Sequence, residues 1–484
     1  FLLNSFDHVF VERCVFTPRG EIRSIETGTL LKDFDVIAFS ISYELDYARA
    51  INMLIRGGVE PRRKDREAGD PIIVAGGPAI IQNPIPLEEF FDFFFVGELE
   101  DYAEDFIQAI EEVKEKRDFR SLEKYEFLHI PSLGRRKVKK AFTRNLNEAF
   151  YPVRQIQPLE WKDFSFLLEI GRGCGWGCRF CLAGFIYRPP RFRSLRRIME
   201  IIEIAKSFNK FKKVCLISFA AADHPEFRKL LEYLFEKGLQ ASFPSLRSDL
   251  LRYEELGLIK KLGERTLTIA PEVASENLAL AIGKCISPSV TESVAEEAYK
   301  AGFKQMKMYF MYGIPGEREE DVASIGNLVN RILRIGYNGI RLSITPWIPK
   351  PHTPLQWEGQ EDLKELMRKR KIILKNLRGG RVRVTFFNPK KARIEAVLAR
   401  GDENISRAIL YVAIRNNYTV GAWHKAFQEA NVDIKEYANR SIPLDEELPW
   451  DFIDIGISKE FLVREWENFH KGKAPLHCRL RLFS

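Results

Sequence analysis

The chain has 484 residues, 45% of them apolar and 29% charged, an ordinary globular balance with material for roughly two to four domains. No apolar run reaches the roughly 18 residues that a membrane helix needs, so no membrane span is expected. A net charge of +8 is modest for this length; it permits an acidic or nucleic-acid partner without requiring one.

The chain opens at Phe1 without a Met and runs straight into an apolar segment, with no signal peptide visible. The expectation is therefore that the true N-terminus lies upstream. Residues 1–115 alternate short apolar runs with helical patterns. Asp35 to Ser40, Pro71 to Gly77 and Phe93 to Gly97 are hydrophobic runs ending in small residues. Tyr47 to Arg56 and Tyr102 to Lys114 carry helical apolar spacing. Runs without polar alternation, separated by helices, predict a parallel sheet covered on both faces, a doubly wound Rossmann-like domain. Small residues at its strand ends mark the edge where such sheets bind ligands.

Residues 116–160 turn basic and irregular, with Arg135 to Lys140 and several prolines, and read as a linker with a small hairpin. Over 161–365 the alternation resumes, with strands expected at 165–170, 213–218, 240–244, 266–270, 304–310 and 339–345. Helical patterns such as Arg196 to Phe208 and Asp321 to Ile335 lie between them. Six such units predict an open, partial (β/α)6 TIM-like barrel with its chemistry at the C-terminal strand ends. Residues 366–484 open within a Lys/Arg-rich helix, Lys364 to Lys375, followed by Arg378, Arg381 and Arg383. They are expected to form an α+β accessory domain. The basic helix is open to two readings, a solvated face or a surface for RNA or an acidic protein.

Between the first two barrel strands lies Gly171-Arg172-Gly173-Cys174-Gly175-Trp176-Gly177-Cys178-Arg179-Phe180-Cys181. A tetrahedral zinc site wants a fourth ligand nearby, and no His or Cys follows in the next thirty or so residues. Three thiolates on one tight, glycine-rich loop suit a four-iron cluster with one iron left open. Unligated core cysteines are the bland alternative, although free Cys is normally scattered and buried. The other four cysteines, Cys14, Cys215, Cys285 and Cys478, stand apart in sequence. That spacing argues against a disulfide framework and for a reducing, cytoplasmic compartment.

With this Cys-x3-Cys-x2-Cys loop, the chain is identified as a member of the radical S-adenosylmethionine (SAM) enzymes. Gly184 to Ser194, Pro244 to Ser248, Ala270 to Glu272, Met311 to Glu317 and Pro349 to Trp357 further resemble a subgroup with an N-terminal cobalamin-binding-type domain. The resemblance implies a [4Fe-4S] cluster on Cys174, Cys178 and Cys181, with SAM chelated at the open iron and cleaved to a 5′-deoxyadenosyl radical. It implies SAM contacts from Phe180, from Ser218 at the start of the Ser218–Asp223 stretch, and from Arg247 toward the carboxylate. Glu272 would meet the ribose, Gly313 would let adenine approach closely, and His352 would meet SAM, cobalamin or substrate. For each, a surface Arg, a helix-capping Glu, a turn Gly or a plain loop His is the structural alternative. Ser218–Asp223 departs from the usual Gly-Gly-Glu, which puts the amino-group contact on the backbone.

Ser40, Ser42, Gly76 and Gly77 resemble elements that make room for cobalamin's nucleotide tail. The Asp-x-His-x-x-Gly element supplying a cobalt ligand is absent; Phe6 and Val11 flank His8 where Asp and Gly are required. A scaffold role for this domain therefore stays open. Cys478 resembles the start of a C-terminal cysteine cluster that is incomplete before Ser484. The implied reaction is cobalamin-dependent methylation of an unactivated carbon, with an external electron donor such as ferredoxin or flavodoxin. The alternatives are a radical reaction without methyl transfer and an RNA- or ribosome-associated binding module. The substrate, whether protein, RNA or small molecule, is not written in the sequence.

Overall fold

A computed structural model of the protein describes residues 1–115, 117–156, 164–244, 246–476 and 478. The expected boundary at 160/161 falls outside them. The chain forms two compact units, one of residues 1–144, 348–360 and 390–459, the other of 145–347, 361–389 and 460–484.

The first unit is built on three parallel strands, Val36–Ser40, Ile72–Gly76 and Phe93–Phe95, in that spatial order. The period of two sorts their side chains to opposite faces. Ile73, Ala75 and Phe94 join one core with Ile51 and Leu54 of the helix Tyr47–Arg56 and with Ile394, Ile409, Trp423 and Phe427. Ile72, Val74, Phe93 and Phe95 join the other, with Phe106 and Val113 of the helix Ala103–Lys114. Both faces are covered, as unbroken apolar runs require.

The expected linker is part of this unit as far as Arg144 and belongs to the second unit from Asn145. Leu128–His129 adds an antiparallel edge strand, and Val138–Lys139 pairs in parallel with Ile453–Asp454. Leu122, Tyr125, Ile130 and Ala141 bury their side chains there, a buried stripe that the reading as a basic, irregular linker missed. Residues 348–360 are tied in by Lys350, whose ammonium reaches Glu44 and lies 2.9 Å from Glu395.

The second unit carries the six expected barrel strands, at Ser165–Glu169, Lys213–Ile217, Gln240–Ser242, Thr266–Glu272, Gln305–Tyr312 and Gly339–Pro346. All are parallel, and their spatial order follows the sequence. Among the described residues, a single parallel bridge, Leu246 to Ile269, links the first three strands to the rest. Helices Leu195–Phe208, Phe227–Glu236, Tyr253–Lys261, Pro288–Lys300 and Glu319–Arg334 follow strands one to five. Alternate strand residues, such as Leu168, Leu216, Ile269, Met308 and Leu342, face the helices and are fully or almost fully buried. Those between them, such as Thr268, Lys307, Tyr309 and Ser343, lie on the half-open inner face.

Strand Val382–Phe386 pairs with the sixth strand and makes a seventh, which the sequence did not suggest. Residues 366–484 accordingly form no accessory domain of their own. Their first part completes the barrel, 390–459 fill the core of the first unit, and the segment after 459 returns to the barrel.

Candidate active site

The first barrel strand ends in Glu169, whose carboxylate binds Arg172 at 2.8 Å and the buried Arg193 at 3.0 Å. Gly171–Arg172 then pairs antiparallel with Arg191–Phe192, so residues 173–190 form a closed-necked loop on the C-terminal edge of the sheet. Gly173 has φ +82°, and a Cβ there would lie 2.3 Å from the Tyr187 carbonyl, so only glycine fits. Arg188 clips the loop from within, donating to the carbonyls of Trp176 (3.0 Å) and Gly184 (2.7 Å). From below, the Arg179 amide donates to the Ile282 carbonyl at 2.8 Å. Its fully buried guanidinium holds Glu465 at 2.8 Å and the Lys473 carbonyl at 2.9 Å.

Cys178 is buried, and Cys174 and Cys181 are half-buried. Burial and the neighbouring sulfurs push the Cys181 thiol up to about 12, and burial raises Cys174 as well. Without metal these groups are neutral thiols; a metal must displace their protons to bind. Among the described residues, no three His, Cys, Asp or Glu side chains stand close enough to share one ion. A zinc ion needs all its ligands within about 2.3 Å of one point. The corners of an iron–sulfur cluster are held by separate thiolates, so the loop fits a cluster better.

Of the further expected residues, Arg247 packs directly on this loop. Arg247, after the third strand, lays its guanidinium 3.6 Å from the centre of the Trp176 ring. It lies 2.9 Å from Asp249 and donates to the Lys284 carbonyl at 2.7 Å. Glu272 ends the fourth strand where the register shifts, in a left-handed conformation at φ +71°. Burial raises its carboxyl above the usual range, with the Lys284 ammonium 3.7 Å away. In the 218–223 stretch, Asp223 accepts a hydrogen bond from the Trp176 indole at 2.5 Å, while Ser218 stays half-buried and turns its hydroxyl to the Ala220 amide. Phe180 is half-buried within the loop itself. A cleft of about 290 Å³ opens beside them, lined by Trp176, Arg247, Asp249, Ser287, Cys285 and Cys478.

Other expectations are not met. The space a side chain at Gly313 would fill is taken by Leu366, 2.5 Å away, and by Glu361. The glycine there serves helix Leu363–Asn376, whose packing the sequence does not disclose. His352 belongs to the first unit, buried beside the backbone of Ile81 and Gln82 and pushed down to about 3 by desolvation.

At the edge of the first unit's sheet, Ser40 and Ser42 are exposed. The room at Gly76 and Gly77, however, is already used. A Cβ at Gly77 would lie 2.7 Å from the Ile41 carbonyl, and one at Gly76 would lie 3.3 Å from the Phe95 carbonyl. Cys285 and Cys478 form a disulfide across 193 residues, which their isolation in sequence could not reveal. Trp176, Lys284 and Arg188 were not singled out; of these, only Trp176 carried a signal, as the one large side chain among the loop's glycines.

The family of radical SAM proteins' N-terminal domains matches residues 2–131, and the radical SAM superfamily matches 168–329. An uncharacterized protein of Methanocaldococcus jannaschii is 37% identical over 390 residues, 80% of this chain and 82% of that protein. The fold is similar to that of the radical S-adenosylmethionine methyltransferase TsrM from Kitasatospora setae, solved with cobalamin and a [4Fe-4S] cluster bound. That likeness covers 82% of this chain and 88% of the other at 12% identity, with a TM-score of 0.52. The cysteine loop at the C-terminal edge of a parallel β/α sheet, and matches on both sides of it, establish that the chain belongs to the radical SAM superfamily.

Proposed function

We propose that this enzyme binds its [4Fe-4S] cluster through Cys174, Cys178 and Cys181 and methylates an unactivated carbon of its substrate with the help of cobalamin. The observation that carries the SAM half is the packing of Arg247 on Trp176 of the cysteine loop in one cleft, with Glu272 joined to Arg247 through Lys284. When bound, the cluster supplies the electron that cleaves SAM to the radical that abstracts hydrogen. Arg247 offers SAM's carboxylate a charge-assisted pair in place of Asp249, and Trp176 orients that guanidinium by stacking. Glu272, fixed at the strand end, accepts or donates at the ribose hydroxyls. Arg188 and Arg179 hold the loop in shape from both sides. A low-potential donor such as ferredoxin or flavodoxin completes the requirement, which suits a cytoplasmic protein. Among the described residues, no helix is long and apolar enough to cross a membrane.

Support for cobalamin comes from the likeness of fold to TsrM and from the exposed hydroxyls of Ser40 and Ser42 at the sheet edge. The glycine cradle does not fit as expected, since Phe95 and Ile41 occupy it. This favours a second reading, a radical reaction without methyl transfer in which the first unit is scaffold. The RNA-binding reading loses part of its surface. Arg368 is paired with Glu365 and Glu319, Lys369 is buried against Glu317, and Arg370 lies over Phe386.

The test is anaerobic reconstitution of the full chain with iron, sulfide, SAM and cobalamin. Arg247→Ala and Glu272→Ala are expected to weaken SAM binding about tenfold or more at unchanged iron content, as loss of a charge-assisted contact predicts. Retained corrinoid after gel filtration supports methyl transfer. Protein that cleaves SAM but elutes without corrinoid leaves the scaffold reading.

A further inference from the structure

The turn formed by residues 281–285 lies beneath everything the cleft needs. The Ile282 carbonyl takes the Arg179 amide inside the cysteine loop. Gly283, at φ +72°, is packed so closely that a Cβ would stand 2.7 Å from the Gly177 carbonyl and 3.0 Å from Pro475. The Lys284 carbonyl takes Arg247 at 2.7 Å, and its ammonium faces Glu272 at 3.7 Å. Cys285 follows in a left-handed conformation, φ +55°, uncommon outside glycine and of the kind that collects at functional sites. Its partner Cys478 comes from the far end of the chain, with a Cα–Cα distance of 5.8 Å that suits a disulfide. Both cysteines line the cleft with Trp176 and Arg247.

We propose that Cys285 and Cys478 are a reversible thiol–disulfide pair that governs SAM binding in this cleft, weak when bridged and strong when reduced. The proposal rests on the cleft being the SAM site. With the bridge closed, Cys478 forms part of the cleft wall. The turn then presents the Lys284 carbonyl to Arg247, whose guanidinium is shared between that carbonyl and Asp249. Reduction frees the turn from Cys478, so that Arg247 can exchange Lys284 for an incoming carboxylate.

The chemistry is thiol–disulfide exchange with a low-molecular-weight disulfide. Half-buried Cys285 attacks as thiolate, forming a mixed disulfide and releasing one thiol. The Cys478 thiolate then displaces the second thiol and closes the bridge. Two electrons pass to the small disulfide, and two protons leave the cysteines for the thiols released. The same conditions that keep an electron donor reduced would keep the pair open, so competence to bind SAM tracks the supply of reductant.

The experiment is calorimetric titration of SAM into the anaerobically reconstituted full chain, equilibrated with either dithiothreitol or glutathione disulfide. Differential alkylation with mass spectrometry reads the bridge, and iron analysis confirms equal cluster content. Bridged protein is expected to bind SAM at least about tenfold more weakly. Cys478→Ser and Cys285→Ser should show no difference in SAM affinity between the two buffers. Equal affinity with the bridge shown present in one sample and absent in the other overturns the proposal. So does failure of the bridge to form at any glutathione ratio, or iron beyond one cluster that is lost in Cys285→Ser, which would make the pair metal ligands. If cluster-loaded Cys478→Ser also fails to bind SAM, the assignment of the cleft falls and takes this proposal with it.

Discussion

Glu272 and His352 show how differently one local feature can act, since both are non-glycine residues in left-handed backbone, Glu272 half-buried and His352 buried. Such a conformation costs on the order of 1–3 kcal/mol and persists only where its surroundings enforce it. At Glu272 it coincides with a register shift at the C-terminal end of a barrel strand, and the side chain faces Lys284 in the site. At His352 the surroundings are the backbone of Ile81 and Gln82 in the first unit, with the Lys140 charge adding to the disfavour of protonation. Burial lowers this histidine from 6.5 to about 3, so it folds neutral. Its contribution to stability is present in full above pH 6.5. It is lost as pH falls, at about 1.4 kcal/mol per pH unit, until the folded pKa near 3 is reached. Urea midpoints measured from pH 7 to pH 4 should therefore fall more steeply in the wild type than in His352→Asn, which tolerates the same backbone conformation. Parallel pH profiles would show that the ring is not buried neutral.

At the scale of elements, legibility followed periodicity. The six barrel strands were readable because each carries alternate apolar residues that face helices, as in Met306, Met308 and Phe310. The seventh was missed because Val382–Phe386 alternates with exposed Arg383 and Thr385 and follows a basic helix, so it resembles solvated surface. The cysteine loop was readable from spacing alone. What supports it from below was not, because helix Lys459–His470 and the chain beyond it reach Arg179 across nearly 300 residues. Arg179 has no exposed side-chain surface, and Glu465 is its carboxylate partner. Removing one member of a buried pair strands the other charge, at a cost of about 3–5 kcal/mol. Glu465→Ala is accordingly expected to lower the denaturation midpoint of the barrel unit and to reduce iron bound per chain after reconstitution. Glu465→Gln, which keeps an acceptor, should lose less of both. Wild-type stability and full iron content in Glu465→Ala would mean that the carbonyls of Ala281 and Lys473 suffice for Arg179.

For the whole molecule, the sequence divides the chain end to end, whereas the structure weaves it. Helices between 390 and 459 contribute Ile394, Ile405, Ile409, Trp423 and Phe427 to the same core as the strands Val36–Ser40 and Ile72–Gly76. Each is an ordinary apolar residue at helical spacing, and nothing in such a pattern names the partner it packs against. The barrel in turn takes Leu366 and Ile373 into its core and ends its sheet with Val382–Phe386. A boundary near 365 therefore removes core from both units at once. A chain ending at residue 365 loses five large side chains from the first core, each worth about 1.5–3 kcal/mol when buried. Against a typical net stability of 5–15 kcal/mol, that loss is enough to unfold the unit. The same cut strips the barrel of its last strand and leaves Arg179 without Glu465. The expected outcome is that residues 1–365 show no cooperative thermal transition by circular dichroism and bind no cluster, while the full chain does both. A sharp transition in the shortened chain, with iron at the wild-type level, would mean that 366–484 is a separable domain after all.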